Sequence, residues 1–298
     1  MRRTFCLLTI VFVVSACSLS AQRIDWNKQV GQGPYSQLDP APYDPESEPD
    51  IDLFISHWQE SMPRRSHGGL VKRDIFTACE GDPLNPERRG AVLTDLGGLS
   101  FATLSAHSST SPAILSGKQE ILYVVSGQGR IDTPGKTARI QNGIAILMPP
   151  GIEFTLTNMG PDPLQMFSIV EPVPVDFEPK TDMVVKDENT IPISYTTGHW
   201  AHIAKTLFQR EDGLGVLIGM NPVWLDPMTM SQPHSHPPGV EEVWFVVEGE
   251  IGLLLGKELR RLAPGSAYKI PPDGETPHAT INMTDKPIKL VWMMKIIE

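Results

Sequence analysis

Two stretches of this chain are copies of one another, and their spacing limits the fold more than any other feature. "QEILYVVSGQGRI" (residues 119–131) matches "EEVWFVVEGEIGL" (241–253), and "GIAILMPPGIEFTLTN" (143–158) matches "GSAYKIPPDGETPHATIN" (265–282). Glu120 to Gly143 is 23 positions, as is Glu242 to Gly265; Glu120 to Pro149 is 29, as is Glu242 to Pro271. Unrelated segments rarely share two such offsets, so the chain carries a duplicated unit. The runs are short, β-like and broken by turn residues, with 25 Gly and 28 Pro in 298 residues. That composition favours many short strands over long helices. Each copy, at about 90 to 110 residues, has the size of a single domain.

The second copy opens on an odd mixture, "QPHSHPPGVEEVWFVVEGE" (232–250), in which titratable groups lead into an apolar run. In a strand alternate side chains face the same way. His234 and His236 therefore point together, Glu242, Trp244 and Val246 share a face, and His278, Thr280 and Asn282 share another. If the sheet closes on itself, one face of every strand points inward. Three strands then bring His234, His236, Glu242 and His278 to one point. Buried without a partner, these groups would cost several kcal/mol. A cation resolves this: three imidazoles and one carboxylate suit a divalent transition metal and leave positions open for water or substrate.

These residues carry a family resemblance. "HSHPPGVEEVWFVVEG" and "GSAYKIPPDGETPHATIN" resemble the two motifs of the cupins, and the repeat makes the chain similar to bicupins over roughly residues 90–298. The resemblance implies an all-β fold of two tandem jelly-roll barrels, with a metal in one or both. There are departures. Met228 stands where the first motif opens with glycine, and the loop from His236 to Glu242 is one residue longer than the common form. Glu241 and Glu242 both compete for the ligand role. Glu242 is chosen because it keeps the motif's interval to Gly249 and matches Glu120 in the first copy. The first copy keeps the framework (Glu120, Gly127, Gly143, Pro149, Gly151, Asn158) but has Phe154 where the motif histidine belongs and no His-x-His. One divalent transition metal per chain is therefore expected, in the C-terminal barrel, with iron, manganese, nickel and zinc all open. The N-terminal barrel is expected to serve packing, dimerisation or specificity, and a homodimer stays open as the assembly. Glu120 reads as a leftover, paired or at the barrel mouth. His57, His67, His107, His199 and His202 read as structural or connector residues. Gln232, Trp244 and Tyr268 are candidates for shaping the second pocket, with core packing the preferred role for Trp244.

The remaining segments frame the barrels. "MRRTFCLLTIVFVVSACSLSAQ" (1–22) has the basic start, apolar run and small-residue end of an export signal. It ends either at a lipobox-like "VSAC", with Cys17 as a lipid anchor, or at ordinary cleavage near Ala21. The expected location is periplasmic or membrane-anchored. Cys79 is then the single body cysteine, so no intrachain disulfide framework is expected. Residues 23–89 read as a Pro- and acid-rich tether and arm, with a short helix over 51–62. The N-terminal barrel is assigned to 90–172, a connector to 173–205 and the C-terminal barrel to 206–298. The formal net charge of −10 and the lack of a basic cluster argue against nucleic acid. A small molecule is the expected partner. The leading function is a metal-dependent enzyme of dioxygenase, decarboxylase, isomerase or lyase type on a small organic acid, phenolic or sugar-derived substrate. The alternative is a non-catalytic binding or sensing module. No catalytic residue beyond the ligands is assigned.

Overall fold

The computed structural model describes residues 49–194 and 199–296. The export signal with Cys17, and most of the tether, lie outside the described residues.

The duplication in sequence becomes a duplication in sheet order. In the first unit the strands Ile144–Met148, Lys118–Ser126, Leu164–Pro172 and Gly98–Leu104 lie side by side. In the second, Ser266–Lys269, Glu241–Glu248, Ile288–Lys295 and Gly219–Leu225 take the same order. Each large sheet is backed by a four-stranded one. Glu153–Asn158 and Gln128–Asp132 are central in the first, and His278–Asn282 and Ile251–Leu255 in the second. Side chains from both sheets of a unit meet inside it, as Leu122, Val124 and Ile146 meet Ile131 and Leu156 in the first. The result is two jelly-roll barrels in tandem.

The shared glycines and asparagines have backbone reasons. Gly127 and Gly249 end equivalent strands at φ +86° and +78°, a region side-chain-bearing residues avoid. An added Cβ would meet Pro163 O at 2.7 Å or Ile288 Cγ2 at 2.6 Å. Asn158 Nδ2 donates to Leu104 O, Ser105 O and Asp162 O, and Asn282 Nδ2 donates to Leu225 O, Asp226 O and Lys286 O. In each barrel one amide therefore ties a strand end to two neighbouring turns.

Each large sheet is extended by a strand from outside the repeat. Ile55–His57 pairs with Ser266–Lys269 of the second barrel, in the register Ile55↔Tyr268. At the equivalent edge of the first barrel, Val184–Asp187 pairs with Ile144–Met148. Both strands cover backbone that would otherwise stand unpaired. The helix expected over 51–62 is corrected here. Ile51–Phe54 and Trp58–Glu60 are single 3-10 turns flanking the strand Ile55–His57. Ile51, Phe54, Ile55 and Trp58 have helical spacing, but Ile51, Phe54 and Ile55 are buried and Trp58 stacks on Phe101 at 4.9 Å. Pairing with a sheet edge outweighs a short local periodicity.

The barrels pack through the outer faces of their large sheets. Phe167 and Phe245 stack in parallel across the seam, with centroids 4.7 Å apart. A polar group is buried there too: Lys289 Nζ donates to Glu188 Oε1 at 2.5 Å and Tyr123 Oη to Glu188 Oε2 at 2.7 Å. This seam explains why "VWFVV" does not alternate. Trp244 and Val246 face the barrel interior while Val243, Phe245 and Val247 face the other unit, so both faces are apolar.

Candidate metal centre

The second barrel collects four donors from two sheets. His278, first residue of His278–Asn282, exchanges backbone hydrogen bonds with His234: His278 N–H donates to His234 O at 2.9 Å and His234 N–H to His278 O at 3.2 Å. The imidazoles are thereby set side by side, 4.2 Å between centroids. Two residues on, His236 returns to the same side, 4.9 Å from the His234 ring and 5.1 Å from that of His278. Glu242 enters from the large sheet in Glu241–Glu248. One donor atom from each of the four lies within 4.8 Å of the others, and all four side chains are buried.

Glu242 is ionised, as a ligand to a divalent ion must be. Burial by itself would raise the Glu242 carboxyl, but the charges of His278 and His236 beside it, with the His236 hydrogen bond, hold it well below the usual carboxylate range. His236 Nε2 contacts Glu242 Oε2 directly. His278 Nε2 lies 3.2 Å from the same oxygen but lacks hydrogen-bond geometry, so both His278 ring nitrogens stay unmatched inside the protein. Such groups cost about 1 to 3 kcal/mol each, and a cation at the centre of the cluster relieves that cost. Burial pushes His234 down to about 2. Its Nδ1 meets Gln232 O at 2.8 Å, which places the proton there and leaves the lone pair on Nε2, the nitrogen that could ligate. Three imidazoles and one carboxylate fit a single divalent metal.

The neighbouring glutamates divide the work. Glu242 Oε1 accepts from two indoles, Trp244 Nε1 at 3.0 Å and Trp292 Nε1 at 2.6 Å, and so is held toward the cluster. Glu241 points to the opposite face. Its Oε2 accepts the backbone N–H groups of Thr94 and Asp95, each at 2.8 Å. That carboxylate anchors a loop of the first unit and is remote in role from the cluster.

A cupin domain family matches the chain twice, over residues 101–170 and 223–294, with the cluster in the second match. The chain is a bicupin of the cupin superfamily. Solved structures agree on the architecture. Protein Ylba from E. coli superimposes with a TM-score of 0.59 at 16% identity, covering 82% of this chain and 92% of its own. Oxalate decarboxylase from Lactobacillus farciminis, in complex with formate, gives 0.61 at 12%, covering 81% and 86%. Vicilin from Corylus avellana (hazelnut) gives 0.62 at 13%, covering 82% and 85%. At these identities the likeness is one of fold, and the fold hosts unrelated functions. No curated protein matches the chain in sequence.

The bicupin's second barrel holds two further histidines that sequence reading had set aside as connector residues. The His199 ring lies 4.5 Å from that of His234, and His202 lies 5.1 Å from His199 and 5.6 Å from Trp244. Both line a cavity of about 280 Å³ together with Trp244 and Trp292. Trp244 therefore does more than pack the core. No motif marks this pair; the one signal was their i, i+3 spacing. Tyr268 is buried and hydrogen-bonds Thr280 Oγ1 at 2.8 Å, and Gln232 contributes its backbone carbonyl; neither lines the cavity. His57 caps a 3-10 turn, and His107 is exposed on a loop.

In the first barrel an internal cation sits at the equivalent point. Glu120 Oε1 accepts from the buried Lys72 ammonium and from Ser168 Oγ at 2.5 Å, and Oε2 lies 3.3 Å from His67 Nε2. Burial opposes ionisation, but the Lys72 charge and these hydrogen bonds hold Glu120 at about 2. Ser168 pairs with Leu122 as Trp292 pairs with Trp244, so one strand position supplies a donor to the glutamate in both barrels. Phe154 is fully buried and meets the His67 ring edge-on at 5.3 Å. His67, read as structural and unremarkable, thus belongs to this interior cluster. Lys72 comes from Leu70–Ala78, a strand outside the repeat.

Proposed function

We propose that this bicupin is a metal-dependent enzyme acting on a small organic molecule, an organic acid, a phenolic or a sugar derivative, at its C-terminal barrel. One observation carries the reading: a buried His234–His236–Glu242–His278 cluster lies directly behind His199, Trp244 and Trp292, which line a cavity large enough for a small ligand. A divalent ion there would supply Lewis acidity, an activated water or a site for dioxygen chemistry. The chain's own residues prepare the setting. Gln232 O fixes the His234 tautomer, and the Trp244 and Trp292 indoles orient Glu242. Burial of the cluster keeps bulk water from competing. One similar structure is by name an oxalate decarboxylase, an enzyme on a small organic acid, which supports this class without choosing the substrate. The test combines elemental analysis with turnover. Metal-loaded protein is incubated in air with panels of the three substrate classes, beside His278→Ala. Product that depends on the metal and disappears in the variant supports the enzyme. Retention of a panel compound with no product, across all panels, supports a binding module in its place.

We also propose export, with Cys17 as the anchor. The support is the sequence of residues 1–22 alone.

A further inference from the structure

The cavity beside the cluster has a definite chemical character. Two of its walls are the indoles of Trp244 and Trp292. Each indole has one N–H, and both are spent on Glu242 Oε1 at 3.0 and 2.6 Å. What they offer the cavity is ring surface. Met294 adds a polarizable apolar side. Among the described residues no Lys, Arg, Asp or Glu lines it. A ligand charge placed against these walls would give up part of its hydration with no opposite charge in the lining to replace it. Among the described residues no lining side chain offers a fixed positive charge, so the cavity disfavours a ligand with more than one anionic group.

Its polar side chains, Ser194, His199, His202, Thr206 and Asn221, carry no carboxylate, ammonium or guanidinium. His202 Nε2 is buried with no hydrogen-bond partner among the described residues. Buried polar atoms are nearly always matched, so this nitrogen points to a ligand. Asn221 Oδ1 already accepts from Leu207 N–H at 3.2 Å, which leaves its amide N–H groups to donate. A hydroxyl both donates and accepts, and suits this pair. The volume, about 280 Å³, admits a ligand the size of a substituted ring.

We infer that the cavity lined by His202, Asn221, Trp244 and Trp292 is the substrate chamber of the metal centre, built for a single hydroxylated aromatic ring, with His202 as the residue that reads its hydroxyl. This rests on the metal reading given above and selects the phenolic class from the three substrate classes. Flat ring surface stacks on the indoles, and a dicarboxylate of similar size leaves a second charge stranded.

Calorimetry on metal-loaded full-length protein tests this, with catechol as the ring probe, malonate as the dianion and 1,2-cyclohexanediol as the non-planar diol. Catechol should bind at least tenfold tighter than either. His202→Leu should weaken catechol at least tenfold while elemental analysis shows unchanged metal, and His202→Gln, which keeps a polar atom there, should retain most of the affinity. Malonate or the diol binding as well as catechol would overturn the inference. So would full catechol affinity in His202→Leu, or loss in both variants alike with folded, metal-loaded protein. If metal is retained and catechol does not bind, this inference fails and the metal reading stands. If no metal is retained, the metal reading fails and takes this one with it.

Discussion

Removing the Lys72 charge should expose how the first barrel tolerates a buried carboxylate. Lys72 and Glu120 are both almost fully buried, at 3% and 2% exposure. Lys72→Met keeps the length of the side chain and deletes the ammonium, leaving only Ser168 and His67 beside Glu120. Breaking a buried pair from one side typically costs about 3 to 5 kcal/mol. Linkage gives a similar figure. A carboxyl held at about 2 instead of 4.5 contributes about 3 kcal/mol of pH-dependent stability. In the native protein that contribution is complete above pH 4.5 and is lost as pH falls toward 2. In Lys72→Met, burial acts without the opposing charge and lifts the folded-state value above 4.5. Stability is then lost as pH rises through that new value. The penalty of the variant should therefore grow between about pH 5 and pH 7. Urea unfolding at both values, with slopes compared to the native protein, reads this directly. The double variant Lys72→Met/Glu120→Gln should recover most of the loss, because no charge is left to bury. A penalty below about 1 kcal/mol at neutral pH, or one equal at both pH values, would refute the argument.

Other outcomes follow from the same geometry. Phe154→Ala should cost about 3 to 5 kcal/mol by opening a cavity in the first barrel, with metal content unchanged on elemental analysis. Glu242→Gln should weaken metal binding more than Glu241→Gln, whereas Glu241→Gln should lower the thermal midpoint by loosening the Thr94–Asp95 turn it holds. Trp292→Phe removes one of two donors to Glu242 Oε1 and should weaken metal affinity about 10- to 100-fold, measured by competition with a chelator. Cys17→Ser should release the protein from membranes in a bacterial host; a mature N-terminus at Gln22 without lipid would exclude the anchor.

The local pattern of the chain was enough to expect two barrels and to bring His234, His236, Glu242 and His278 into one cluster. A strand alternates its faces with period two, so the interval between His234 and His236 and the alternation through His278, Thr280 and Asn282 carry their own orientation. The equal offsets in the two copies carry the duplication, and the shared sheet order is what the structure adds. Glu242 could be preferred over Glu241 from the repeat, but only the tertiary structure gives Glu241 its own task, on the backbone of Thr94 and Asp95. The residues that escaped the sequence all reach their places through pairings between distant segments. Lys72 arrives on a strand from before the repeat, His199 and His202 from the connector, and Ile55–His57 crosses to the other barrel's sheet. Nothing in a residue's neighbours along the chain encodes which sheet edge it will meet, because that choice depends on which edge is left open once both barrels have formed. Spacing within one strand fixes which way a side chain faces; what lies opposite it is decided only when another part of the chain is packed there.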